Sequence, residues 1–170
     1  KDFGKLSNTE LIGLLSDDNI FNRQRAQLKL QERKVLSQDA RATKELQAIV
    51  LAPQSTAKHR MHALWALTGS GLLPDDFVIQ LLDHSSPELR AWGTRIAGRQ
   101  NSRDVTALNR IHTLASDRDP RVRLQVSIAA PKFTTVKSGS ADNVKHQIAV
   151  LRGSVQDPLI PRVVWRNLKS

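Results

Sequence analysis

DPRVRLQVSIAA, residues Asp119 to Ala130, opens on an acid and a proline, reaches an arginine at Arg123 and then sets apolar side chains at Val126 and Ala129. Proline is tolerated in a first helical turn, where its missing N–H has no acceptor waiting, and aspartate is a good N-cap in front of it. Positions three and six or seven beyond an arginine lie on one helical face. The same phrase recurs along the chain. Arginines stand at Arg23, Arg60, Arg90, Arg123 and Arg162, followed three residues later by Ala26, Ala63, Gly93, Val126 and Trp165. Further apolar residues follow at Leu30, Leu67, Ile96, Ala129 and Leu168. By subtraction the arginines are 37, 30, 33 and 39 residues apart, the length of two helices and two turns.

This period predicts an all-α fold, a HEAT-like α-solenoid (an α-α superhelix) of about five helix pairs. First helices are expected at Asn8 to Ser16, Ser37 to Leu51, Pro74 to Asp83, Arg103 to Ala115 and Asp142 to Ser154. Second helices are expected at Asp18 to Arg33, Thr56 to Thr68, Pro87 to Arg99, Pro120 to Ala130 and Pro158 to Leu168. The repeats fall at 8–34, 37–69, 73–99, 102–131 and 141–169 of one domain spanning 1–170. Asp119 and Asp157 are placed as N-caps, and Gly69 and Gly71 suit a helix end. Lys132 to Ala141, with Ser138, Gly139 and Ser140, reads as a long, mobile connection. Five repeated residues, counted from one helix to the next, should therefore face the interior: Ala26, Ala63, Gly93, Val126 and Trp165.

An acid stands five or six residues before several arginines, as Asp117 does before Arg123 and Asp157 before Arg162. That spacing places a carboxylate in the turn near a guanidinium, and the expected use is a structural ladder of charge-assisted hydrogen bonds through Arg23, Arg60, Arg90, Arg123 and Arg162. In the second unit Gln54 and Ser55 stand where the acid would be, which breaks the step.

Five stretches carry a narrower resemblance: NIFNRQRAQLKLQER (Asn19 to Arg33), HALWALTGSGLL (His62 to Leu73), LRAWGTRIAG (Leu89 to Gly98), DPRVRLQVSIAA and IPRVVWRNL (Ile160 to Leu168). In this order they resemble the HEAT-repeat segment of large exported, haem-binding, membrane-bound dehydrogenases of the planctomycete and verrucomicrobial type. In that family a β-propeller precedes the helical repeats and a c-type cytochrome domain follows. The resemblance implies an exported or periplasmic setting, haem c in a separate domain, and a helical spacer whose partners are neighbouring domains or another protein. It places no catalytic or cofactor residue on this chain. A start at Lys1 reads as a piece of a longer protein or a processed form.

Composition narrows the chemistry further. A chain of 170 residues can bury roughly 70% of its unfolded surface, so it needs no metal or disulfide to fold. With no cysteine it has no thiol nucleophile, Cys-ligated zinc or haem-attachment motif. No G-x-S-x-G elbow, G-x-G-x-x-G or phosphate-binding loop is present. Asp17 with Asp18 and Asp75 with Asp76 read as charges at helix N-termini. His59 and His62 share a helical face but lack a third ligand, so they are expected on the surface or beside the ladder rather than on a metal. No catalytic residue and no cofactor are assigned.

The net charge is +10. Residues 1–85 hold 11 basic and 10 acidic side chains, whereas residues 86–170 hold 15 and 6. A candidate basic surface follows from Arg95, Arg99, Arg103, Arg110, Arg118 and Arg121, to be formed if the second helices of the third and fourth units share the concave face. Trp65 and Trp92 fall off the core register and are candidate aromatic anchors for a partner, packing being their commoner use, while Trp165 is expected in the core. A protein partner is favoured. The alternative is a nucleic-acid-binding HEAT-like protein of the alkylpurine DNA glycosylase kind, gripping the phosphate backbone.

Overall fold

The computed structural model describes residues 2–133 and 139–169. All regular structure among them is helical: eleven α-helices and two short 3-10 turns. The chain packs as two compact units, Lys1–Leu73 and Pro74–Ser170. No helix of the described residues is long and apolar enough to cross a membrane.

The first unit holds α1 (Asn8–Gly13), α2 (Ile20–Glu32), α3 (Val35–Gln38), α4 (Ala40–Leu51) and α5 (Ala57–Ser70). Ser7 and Glu10 form a reciprocal cap at α1: the Ser7 hydroxyl accepts from the Glu10 amide, and the Glu10 carboxylate accepts from the Ser7 amide at 2.7 Å. The first helix expected over Ser37 to Leu51 is interrupted at Asp39. Its backbone is extended (φ −142°) and its carboxylate accepts from the Ala42 amide at 2.9 Å. An aspartate that can satisfy a free helical amide is worth more as a cap than in a helix interior, so α3 ends and α4 begins there. Helix α2 packs on α5, and Ala26, Leu30, Ala63, Leu64 and Leu67 are sealed between them and their neighbours.

The second unit is three helix pairs: α6 (Asp75–Leu82) with α7 (Pro87–Gln100), α8 (Val105–Leu114) with α9 (Pro120–Ala129), and α10 (Gly139–Arg152) with α11 (Ile160–Lys169). Pro87 and Pro120 open their helices, Asp104 caps α8 through the Ala107 amide, and Asn101 ends α7 in the left-handed region (φ 51°). Pro74 itself is the N-cap of α6. Second helices touch in succession, α7 on α9 and α9 on α11. Helices α7 and α9 run parallel, since Arg90 reaches the turn before α9 at one end while Gly98 meets Ala129 at the other. A buried amide cluster ties the last pairs together. The Ser127 hydroxyl donates to Gln147 Oε1 (2.7 Å), while Gln147 Nε2 and Asn167 Nδ2 both donate to the Ser127 carbonyl.

Of the long connection expected over Lys132 to Ala141, Lys132 and Phe133 lie in a 3-10 turn (Ala130–Phe133) and 139–141 open α10. The remainder falls outside the described residues.

Four of the five register positions are buried: Ala26, Ala63, Gly93 and Val126. The fifth is a correction. Trp165 is 62% exposed, Leu168 is also exposed, and Ile160, Val163 and Val164 are buried in their stead. The reason is one extra residue. Arg123 is four positions after Asp119, but Arg162 is five after Asp157. The Asp157 carboxylate accepts from the Leu159 and Ile160 amides and starts α11 at Ile160 rather than at Pro158. Arg162 is thereby the third helical residue, where Arg23, Arg60, Arg90 and Arg123 are each the fourth, and the face rotates by about 100°.

Glycines set how closely several helices approach, Gly69 against the Gln31 side chain among them. A Cβ at Gly93 would stand 3.0 Å from Leu81 Cβ, and one at Gly98 would stand 2.8 Å from Ala129 Cβ. Gly13 has open space instead. Gly98→Ala is expected to lower unfolding free energy by about 1–3 kcal/mol, because helix backbones would have to part. Gly13→Ala should leave it unchanged or raise it by roughly 0.5–1 kcal/mol. Urea unfolding midpoints of the two variants check this, and equal effects would refute the packing argument.

Candidate functional site

The repeated arginine acts first on the turn behind it. Arg23 Nη1 donates to the carbonyls of Asp17 (2.6 Å) and Asp18 (2.9 Å), Arg90 Nη1 to those of His84 and Ser85, and Arg123 Nη1 to those of Asp117 and Arg118. The expected carboxylates are thus replaced by main-chain oxygens five and six residues back. Arg60, with its longer turn, donates from Nη2 to the Ala52 carbonyl at 2.8 Å.

The other edge of the guanidinium faces the next repeat. Arg90 grips Asp117 with two parallel bonds, Nε to Oδ2 at 2.7 Å and Nη2 to Oδ1 at 3.0 Å, both side chains being largely buried. The Asp117 carboxylate therefore pairs with Arg90, not with Arg123 as its spacing suggests. Arg123 Nε donates instead to the Ser154 hydroxyl at 2.7 Å. Asp157, at the place where the acid of that step was expected, spends its carboxylate on the amides of its own turn. Arg162 is exposed and off this pattern. Burial alone would raise the Asp117 pKa, but the Arg90 hydrogen bonds, the Asp119 amide and the Arg90 charge outweigh it and hold the carboxyl below its ordinary value.

The six candidate surface arginines are all exposed, but they do not form one stripe. Arg121 pairs with Asp119, and Arg110 with Asp83. Arg118 and Arg121 lie at the start of α9, about 15 Å of helix away from its far end. Arg103 lies in the turn between α7 and α8. Arg95 sits with its guanidinium 4.9 Å above the Trp92 ring, and Arg99 follows one turn later on the same helix.

Arg95 also lines two adjoining cavities between α7 and α9. The smaller, about 90 Å³, is walled by Ala91, Trp92, Arg95 and Gln125. The larger, about 310 Å³, is walled by Arg95, Gly98, Gln125, Ile128, Ala129 and Lys132. The result is a shallow groove with a half-buried aromatic, two cations, an amide and an apolar floor. Gln125, Ile128 and Lys132 were not singled out by the sequence; Gln125 lies one residue before the buried Val126, a neighbour that only helix packing turns toward Arg95. This groove can hold an extended chain bearing anionic groups, with one apolar or aromatic side chain against Trp92.

Trp65 is used differently. It is half-buried, its ring meets His62 edge to face at 5.2 Å, and its carbonyl accepts from Gln31 Nε2 at 2.7 Å. His62, expected at the surface or beside the ladder, is buried with Nδ1 2.7 Å from Gln27 Oε1. Burial, then the charges of Arg23 and His59, push its pKa below the ordinary value. No group of three metal-ligating side chains occurs among the described residues. Comparison with known proteins adds nothing: no family model, curated protein or solved structure matches the chain.

Two outcomes follow from this geometry. Asp117→Ala should lower unfolding free energy at neutral pH by about 2–3 kcal/mol, since it strands the Arg90 guanidinium, and calorimetric unfolding checks it. The folded-state pKa of Asp117 is lowered, so this contribution is present above the unfolded carboxyl value and is lost as pH falls through the lowered one.

His62 acts in a higher window. Its folded pKa is depressed, so below about 6.5 the unfolded chain takes up a proton that the folded chain refuses, and stability declines as pH falls. A His59→Gln, His62→Gln double variant should show a flatter dependence of the urea midpoint between about pH 7 and pH 5. An unchanged slope would remove these histidines from the account.

Proposed function

We propose that this chain is a non-catalytic α-solenoid segment that scaffolds neighbouring domains and docks an acidic protein segment, inside an exported dehydrogenase–cytochrome fusion of the kind its motifs resemble. The observation that supports docking is the α7–α9 groove, where Trp92, Arg95 and Lys132 converge beside an apolar floor. Rigid helix pairs hold a donor and an acceptor domain at fixed separation. The excess of cations after residue 85 steers an acidic partner toward the groove. Haem and catalytic residues belong, on this reading, to other domains of the same chain.

A nucleic-acid-binding reading draws on the same aromatic and cations, since Trp92 could stack a base and Arg95 contact phosphate. Arg110 and Arg121 argue against a broad phosphate track, because Asp83 and Asp119 already neutralise them. Fluorescence anisotropy with a short duplex and a single strand, titrated over salt, separates the two. The docking reading expects weak, sequence-blind binding that vanishes near about 0.15 M salt. Sub-micromolar binding at that salt, reduced by Arg95→Ala, overturns it. The coding sequence on either side is the second check: a β-propeller before the segment and a Cys-x-x-Cys-His motif after it are expected, and their absence ends the dehydrogenase assignment.

A further inference from the structure

Two arginines of the ladder, Arg23 and Arg60, keep a buried Nε with no hydrogen-bond partner, and a cavity stands beside the first. In the second unit the Nε edge of Arg90 meets Asp117, and that of Arg123 meets Ser154. In the first unit the corresponding position is Gln54, three residues before α5 as Asp117 is three before α9. Arg23 is 94% buried, being 6% exposed, and its Nη1 is fixed by the Asp17 and Asp18 carbonyls. Its Nε is buried with no hydrogen-bond partner. A cavity of about 410 Å³ is lined by Arg23 together with Ser16, Asp17, Asp18, Thr56, Ala57 and Lys58. Thr56 caps α5 through the His59 amide, which leaves the amides of Ala57 and Lys58 in the first turn, where no helical carbonyl is available to them.

We propose that this step of the ladder is a binding site for an external carboxylate, which takes the place Asp117 holds on Arg90. The Arg23 guanidinium, which lines the cavity, donates to one oxygen, and Lys58 with the first turn of α5 faces the other. Charge balance selects the class of anion. Asp17 and Asp18 line the same cavity; the Asp17 carboxylate is turned to the Asn19 amide (2.8 Å) and Asp18 is exposed. Arg23 and Lys58 are already balanced by Asp17 and Asp18, so a singly charged group adds less repulsion than a phosphate dianion would. The size and openness of the cavity suit an aspartate, glutamate or C-terminal carboxylate carried on a chain, not a buried ion. The site stands apart from the α7–α9 groove and does not depend on it.

The test observes the donor directly. In the whole chain, the Arg23 Nε–Hε NMR cross-peak is followed during titration with acetate, inorganic phosphate and chloride at matched ionic strength, with the Arg90 cross-peak as internal control. A saturable shift of Arg23 with acetate, and none at Arg90, is expected. Gln54→Asp supplies the acid from within, so it should move the Arg23 cross-peak before any titration and abolish the acetate response. At ten times the dissociation constant, acetate should raise the Tm of the unaltered chain by about 3–6 °C and leave that of Gln54→Asp unmoved. An Arg23 cross-peak that ignores acetate overturns the proposal. A response to phosphate with none to acetate overturns the choice of carboxylate, and an acetate response that survives in Gln54→Asp overturns the location.

Discussion

A guanidinium held at the fourth residue of a helix reaches back to two carbonyls of the preceding turn at Arg23, Arg90 and Arg123, and the rest of the packing is hung on that contact. A tight turn between two helices exposes main-chain oxygens that no helix can satisfy, and burying them unpaired would cost on the order of 1–3 kcal/mol each. Arginine solves this with one nitrogen and keeps its other edge for the neighbouring repeat. It is planar and always charged, so both tasks are done in one fixed orientation. A lysine at the same place would carry its three donors on one rotating nitrogen and could not present two edges held in one plane.

From that contact the helix approaches follow. Arg90 on Asp117 fixes the N-terminal ends of α7 and α9, and the lack of a side chain at Gly98 lets their C-terminal ends close on Ala129. In the first unit the same two ends are handled by different residues. Gln31 on the Trp65 carbonyl joins the C-terminal halves of α2 and α5, with Gln27 on His62 one turn earlier. The N-terminal end of that unit keeps Arg23 without a side-chain acceptor. At these contacts of the first unit amides stand in place of charges, and a neutral donor and acceptor pair loses less on leaving water.

The surface chemistry is a by-product of the same arrangement. Parallel second helices bring every fourth residue of α7 beside α9, which is how Arg95, Gln125 and Lys132 come to share a groove although they are far apart in the chain. Arg121 and Arg110 meet the carboxylates of Asp119 and Asp83, whereas Arg95 lies over the Trp92 ring.

The sequence by itself determined the all-helical class, most of the helices and most of the buried face, because the Arg-to-apolar spacing is local and Asp, Pro and Asn mark the ends, although the break at Asp39 was not read from it. It also contained the sign of its own exception: the extra residue between Asp157 and Arg162, which turns Trp165 out to solvent. What it did not determine was which partner each charged group takes. Asp117 lies six residues from Arg123 and 27 from Arg90, yet bonds the latter, since the helix between fixes only where a side chain starts and the neighbouring repeat decides what it reaches. The same holds for His62, polar in sequence and buried in fact, and for Gln125 and Lys132. Contacts across repeats depend on how closely helices pack, and that distance is set by all the side chains between them at once.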